Sequence, residues 1–112
     1  MPTQNPAVGE FAPLAHLFHR LSDPRRLRVL FALAEGGGHS VAGLAAAAGT
    51  TRFTANCHLN ELARLGLVSE TRDARRRRFH LHPIVRADDG ALNLGRGVRV
   101  RIHQLHDGLR YG

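Results

Sequence analysis

The sequence has no lysine; all 16 of its Lys-or-Arg positions are arginine. It has one cysteine, Cys57, so no internal disulfide can form. No apolar run approaches the roughly 20 residues that a membrane-spanning helix needs. The opening MPTQNPAVGEF lacks the basic and apolar regions of a secretory signal, so the expected location is the cytoplasm. There is no glycine-rich phosphate loop, no paired-carboxylate motif and no nucleophile with a base at readable spacing. Their absence argues against an enzyme. No internal repeat is visible.

What remains is a chain of 112 residues, 43% hydrophobic, with a formal net charge of +7. That length suits one small domain, which buries roughly two thirds of its unfolded surface and often gains stability by dimerising. A basic surface draws polyanions, and arginine makes forked hydrogen bonds to phosphate and to guanine.

Residues 1–11, with Pro2 and Pro6 and little periodicity, read as a flexible arm. Leu14, Leu17, Phe18 and Leu21 then recur at i, i+3, i+4 and i+7, one apolar stripe of a helix. Asp23-Pro24 reads as the cap and first residue of a second helix bearing Leu27, Leu30, Phe31 and Ala34, ended by Gly36-Gly37-Gly38. Ser40 can cap a short third helix, VAGLAAAA, which Gly49 stops. Thr50 or Thr51 can cap a fourth, running to about Leu65, with Ala55, Leu59 and Leu62 facing inward. A short helix, a tight glycine-containing turn and a longer helix form a helix-turn-helix. LVSETR and RRFHLH read as two strands of a hairpin with Asp73-Ala74 at its tip. Beyond Pro83, a turn at DDG and the alternation of Val98, Val100 and Ile102 with Arg99, Arg101 and His103 predict a second hairpin through Gly95-Arg96-Gly97.

In a helix-turn-helix the second helix enters the major groove, its early residues on base edges. The outward side expected here is Arg52, Thr54, Asn56, Cys57 and Asn60. Arginine can read guanine and asparagine can read adenine. Thr50 and Thr51 are placed for phosphate contacts at the helix N-terminus. Arg75, Arg76, Arg77 and Arg78 lie at the hairpin tip, where they can follow the DNA backbone or enter a narrow minor groove. Strand alternation points only about half of them one way, leaving others to brace Glu70 or Asp73. The expected architecture is α+β: a winged helix-turn-helix over residues 12–83, then a strand-forming extension over 84–112, a candidate dimer or partner contact.

LSDPRRLRVLFAL, SVAGLAAAAG and TANCHLNELARLGLV, followed by the basic wing, resemble the ArsR/SmtB family of bacterial repressors over roughly residues 14–82. The resemblance implies a homodimer on an imperfect palindromic operator in double-stranded DNA, released by a metal ion or another signal. Four departures stand out. HSVAGLA lacks the family's Cys-x-Cys pair, which excludes thiolate sensing there. Ala74 replaces the usual wing glycine. Glu61 replaces an aliphatic residue. Strands replace the long last helix that helps the family dimerise, which leaves Leu14 to Leu21 as the expected dimer contact.

The chain has eight histidines. His16 with His19, and His103 with His106, are spaced i, i+3, which puts each pair on one side of a helix. In a dimer the two pairs could meet and hold a regulatory nickel or zinc, with Glu10 and Asp107 as available carboxylates. Surface histidine is the plainer reading of each. His80 and His82 are expected on one side of the returning wing strand, beside DNA or solvent rather than on a metal. His58 is expected to pack or touch phosphate, and His39 carries little information. Cys57 is a candidate redox switch, though a small, weakly buried residue is the simpler reading. A second functional reading is a winged-helix module that regulates transcription only with a sensor partner protein, docked on the C-terminal strands.

Overall fold

The computed structural model describes residues 6–35, 39–88, 90–95 and 97–101. In chain order the elements are α1 (Pro6–Arg20), α2 (Pro24–Leu33), α3 (Val41–Ala48), α4 (Arg52–Arg64), β1 (Val68–Asp73), β2 (Arg76–Leu81), β3 (Arg86–Asp88), β4 (Ala91–Asn93) and β5 (Arg99–Arg101). None of the helices among the described residues is long and apolar enough to cross a membrane.

Three helix starts follow from side chains that accept otherwise unpaired amides. Asp23 Oδ1 accepts from the amides of Arg25 at 2.8 Å and Arg26 at 3.3 Å, with Pro24 at the first helical position. Ser40 Oγ accepts from the Gly43 amide and Thr51 Oγ1 from the Thr54 amide, each at 3.1 Å. Gly49, at φ 67°, closes α3 in the left-handed region and turns the chain into α4. The helix-turn-helix thus has the bounds that its caps dictate. α2 ends at Leu33, before the glycine run, which lies outside the described residues.

α1 begins at Pro6, so a flexible arm over residues 1–11 does not describe residues 6–11. Proline fits a first helical position because its missing N–H would be unpaired there anyway. Pro13, inside the helix, withholds a hydrogen bond from the carbonyl four residues back, at Gly9.

One core cluster joins Leu17 of α1, Leu21 just after it, Val29, Leu30 and Leu33 of α2, Leu44 of α3, Leu59 and Leu62 of α4, and Phe79 of β2. Val85, Leu92 and Leu94 belong to the same cluster, so residues beyond 83 complete the winged-helix core instead of forming a second one. Leu17 and Leu21 are buried within their own subunit and Leu14 is half-buried, so most of the stripe expected at a dimer contact is occupied. A different α1 stripe is exposed: Val8, Phe11, Ala15 and Phe18, at i, i+3, i+7 and i+10.

β1 and β2 pair antiparallel, with Val68 opposite Leu81, Glu70 opposite Phe79 and Asp73 opposite Arg76. His39 adds a backbone bridge to Phe79, its amide donating at 3.1 Å and its carbonyl accepting at 2.8 Å. The C-terminal strands form their own antiparallel sheet, ordered β3-β4-β5, and the β4–β5 pairing is the second hairpin that the alternation predicts.

The wing turn is a two-residue loop, Ala74-Arg75, with Ala74 at φ 60°. Such loops favour glycine or asparagine where φ is positive, because a Cβ there meets the following carbonyl. Glycine gives back part of that gain through a freer unfolded chain. Ala74→Gly is therefore expected to stabilise the fold by up to about 1 kcal/mol, read by thermal or urea denaturation. A loss of stability would contradict the turn geometry.

Candidate nucleic-acid interface

α4 divides sharply by periodicity. Ala55, Leu59 and Leu62 are fully buried and His58 is nearly so. On the opposite side lie Phe53, Asn56, Cys57, Asn60 and Arg64, at i, i+3, i+4, i+7 and i+11. Four of these five are exposed; Asn56 is half-buried. Arg52 flanks the stripe at the first helical position and is also exposed.

The placement differs from expectation in three respects. Thr54 is turned aside: it is half-buried, and its hydroxyl accepts from Thr51 Oγ1 at 3.1 Å. The Thr51 hydroxyl is taken up by the cap, and the Thr50 amide donates to Ala45 O at 2.9 Å. Phe53, absent from the outward set expected above, begins the outward stripe at 78% exposure.

The wing arginines separate by register. Arg77 shares a sheet face with Glu70 and the buried Phe79. It donates to both Glu70 carboxylate oxygens, from Nε at 2.7 Å and Nη2 at 3.2 Å, and lies over the Phe79 ring at 5.0 Å. Its Nη1 donates to Asn56 Oδ1 at 3.2 Å. Arg77 is thus a brace between wing and helix, the role that strand alternation leaves to some arginines of the run. The pair acts on both partners: hydrogen bonding from Arg77 holds the Glu70 carboxyl below its ordinary value, and Glu70 raises the Arg77 guanidinium. Arg75 and Arg76 are exposed and make no ion pair among the described residues. Arg78 is half-buried on the opposite sheet face.

Glu61 does not oppose a polyanion on this surface. It pairs with Arg64 at 2.8 Å and with Arg20 of α1 at 3.8 Å, beside a cleft of about 310 Å³ that His16 also lines.

His58 ties α4 to the start of α2. Its Nδ1 accepts from Arg26 Nε at 3.3 Å, and Arg26 also reaches the carbonyl of Arg20. The buried Nε2 has no partner among the described residues. Burial pushes the His58 pKa down; Asp23 pulls it up, and Arg26 and Arg25 add to the lowering. An imidazole lowered in the fold takes its proton after the unfolded chain does, so the contribution is intact above the ordinary value of 6.5 and is lost as pH falls below it. His58→Asn keeps an acceptor for Arg26 without the titration. Wild type is expected to lose up to about 1.4 kcal/mol per pH unit below that value through this group. Denaturation midpoints over that range should fall less in the variant; equal falls would contradict the assignment.

Among the described residues the remaining histidines do not gather. His80 Nε2 lies 3.0 Å from Thr71 Oγ1, and His82, beyond the end of β2, accepts from the Ile84 amide at 3.1 Å. His16 and His19 are exposed on α1, whereas His103 and His106 lie outside the described residues. Among the described residues no three His, Cys, Asp or Glu side chains come together to hold a metal. Cys57 is an exposed free thiol in the outward stripe of α4.

A family model described as a helix-turn-helix domain matches residues 21–71. Sequence comparison with curated proteins gives no match. Among solved structures, the chain is similar to the homodimeric winged helix-turn-helix DNA-binding domain of Mb0332 from Mycobacterium bovis. That match has 28% identity and a TM-score of 0.60, covering 71% of this chain and 73% of that one. An ArsR-like transcriptional regulator from Rhodococcus sp. RHA1 matches at 34% identity and a TM-score of 0.59, over 66% of this chain and 67% of that one. The cadmium metal-sensor CmtR from Mycobacterium tuberculosis matches at 40% identity and a TM-score of 0.51, over 61% and 70%. With a capped helix-turn-helix, a basic wing braced against its second helix, and these relatives, the chain belongs to the ArsR family of winged helix-turn-helix transcriptional regulators.

Proposed function

We propose that the chain acts as a homodimeric repressor on an imperfect palindrome, with α4 in the major groove of each half-site and the wing on the adjoining backbone. One observation carries this reading: Arg77 of the wing donates to Asn56 on the edge of α4, so helix and wing make one continuous surface. Arg52, Asn56, Cys57 and Asn60 are its base-facing side chains and Arg75 and Arg76 its phosphate contacts, with Arg78 behind them. Val85, Leu92 and Leu94 join the core and leave the small β3-β4-β5 sheet for a partner protein.

Homodimerisation is supported by the exposed apolar stripe Val8, Phe11, Ala15 and Phe18, and the Mycobacterium bovis relative is itself described as homodimeric. A two-fold dimer would present two α4 helices one DNA turn apart, about 34 Å. Regulation by nickel or zinc would draw on His16 and His19, exposed at i, i+3 on α1, completed by His103 and His106 of the other subunit. Calorimetry with each metal on wild type and on His16→Ala with His103→Ala tests this; equal binding by both proteins rejects the site.

The reading as a whole is tested by selecting duplexes from a random-sequence library with the purified protein. A two-fold-symmetric motif is expected, bound by a dimer in sedimentation analysis. Phe11→Ser with Phe18→Ser should yield monomer and weaken binding. If wild type selects no sequence alone but does so with a partner protein, the partner-dependent reading replaces this one.

A further inference from the structure

Phe53 has no role in folding the subunit that the core explains. It is 78% exposed, the most exposed of the large hydrophobic side chains described. It occupies the second position of α4, inside the first turn, where a reading helix meets base edges. Its neighbours at i+3, i+4 and i+7 are Asn56, Cys57 and Asn60, and Arg52 precedes it. The one acidic residue of α4, Glu61, is held by Arg64 and Arg20 on the flank. The surface around the ring is therefore basic and amide-bearing, which complements a polyanion rather than an apolar protein face.

The major groove offers an aromatic ring one apolar partner, the C5-methyl of thymine. The same A·T pair offers adenine N6 and N7 to an asparagine amide. Asn56 stands one helical turn from Phe53, so one side chain can take the adenine edge while the other covers a nearby thymine methyl. We infer that Phe53 is a specificity-determining residue that reads a thymine C5-methyl in each half-site, beside the A·T edge read by Asn56. This rests on the proposal that α4 is the base-reading helix, and it adds both the chemical group recognised and a residue that recognises it.

The test uses the full chain and the duplex that it selects from a random library. Each thymine is replaced in turn by uracil, which removes only the methyl. One thymine per half-site is expected to show a loss of about fourfold in wild-type affinity, the effect of one buried methyl group. Phe53→Ala should bind the thymine duplex more weakly and show no further loss with uracil there. Cytosine at that position should bind poorly, and 5-methylcytosine should recover part of the loss in wild type but not in Phe53→Ala. Phe53 is exposed, so the variant is expected to fold, which circular dichroism checks. A flat uracil series in wild type, or a uracil loss that persists in Phe53→Ala, overturns the inference while leaving α4 as the reader. If wild type selects no sequence at all, the base-reading proposal itself falls and takes this inference with it.

Discussion

Asn56→Ala is expected to cost about 1–3 kcal/mol of specific DNA binding and to relax base preference at one position of each half-site. The size of the effect follows from what the amide does. Asn56 is half-buried and its Oδ1 already accepts from Arg77, so the side chain is oriented before DNA arrives. Holding a rotamer in place before contact lowers the entropic cost of binding. Alanine would remove the adenine-reading group and also release Arg77 from the helix. Arg52→Ala should have a similar base-specific effect without loosening the wing, because Arg52 is exposed and makes no bond to it. Fluorescence anisotropy against the selected duplex and a scrambled one separates the cases. Loss on the selected duplex alone supports base reading; equal loss on both would make these residues general DNA contacts.

The second large effect is expected at the wing. Arg75→Ala combined with Arg76→Ala should weaken binding to selected and scrambled duplexes alike, because phosphate contacts carry no sequence information. For each phosphate left without its arginine, the slope of log K against log salt should become shallower by about 0.9. Arg77→Ala should behave differently. Its charge is already paired with Glu70, so its removal should change the salt slope little while disturbing the Asn56 amide and hence sequence preference. If the double variant kept full affinity at every salt concentration, the wing would have no role in binding.

The same residues mark what is legible in the sequence and what is not. Helix bounds are legible because caps are local: Ser40, Gly49 and Thr51 act on amides or backbone angles within three residues. The inward side of α4 is legible because Ala55, Leu59 and Leu62 obey a 3.6-residue period. Other features depend on partners distant in sequence. Alternation indicates that some wing arginines turn toward Glu70, but only the pairing of Arg72 with Arg77 and Glu70 with Phe79 selects Arg77. The apolar stripe of α1 gives no means of telling a subunit's own core from a partner, and the core takes Leu17 and Leu21. Pro6 reads as a breaker although its position suits a helix start. Phe53 escapes notice because an apolar side chain is assigned inward by default; its signal is its spacing from Asn56 and Asn60, opposite the leucines. Thr54 shares no such spacing, and its bond to Thr51 turns it aside.

The most direct test of the central claim is where DNA touches the protein. Backbone amide chemical shifts of the isotope-labelled chain, recorded as its selected duplex is added, should move first and most at Arg52 to Asn60 and at Asp73 to Arg78. The residues of β3, β4 and β5 should stay nearly unchanged. Shifts concentrated on those C-terminal strands or on α1, with α4 and the wing silent, would contradict the account.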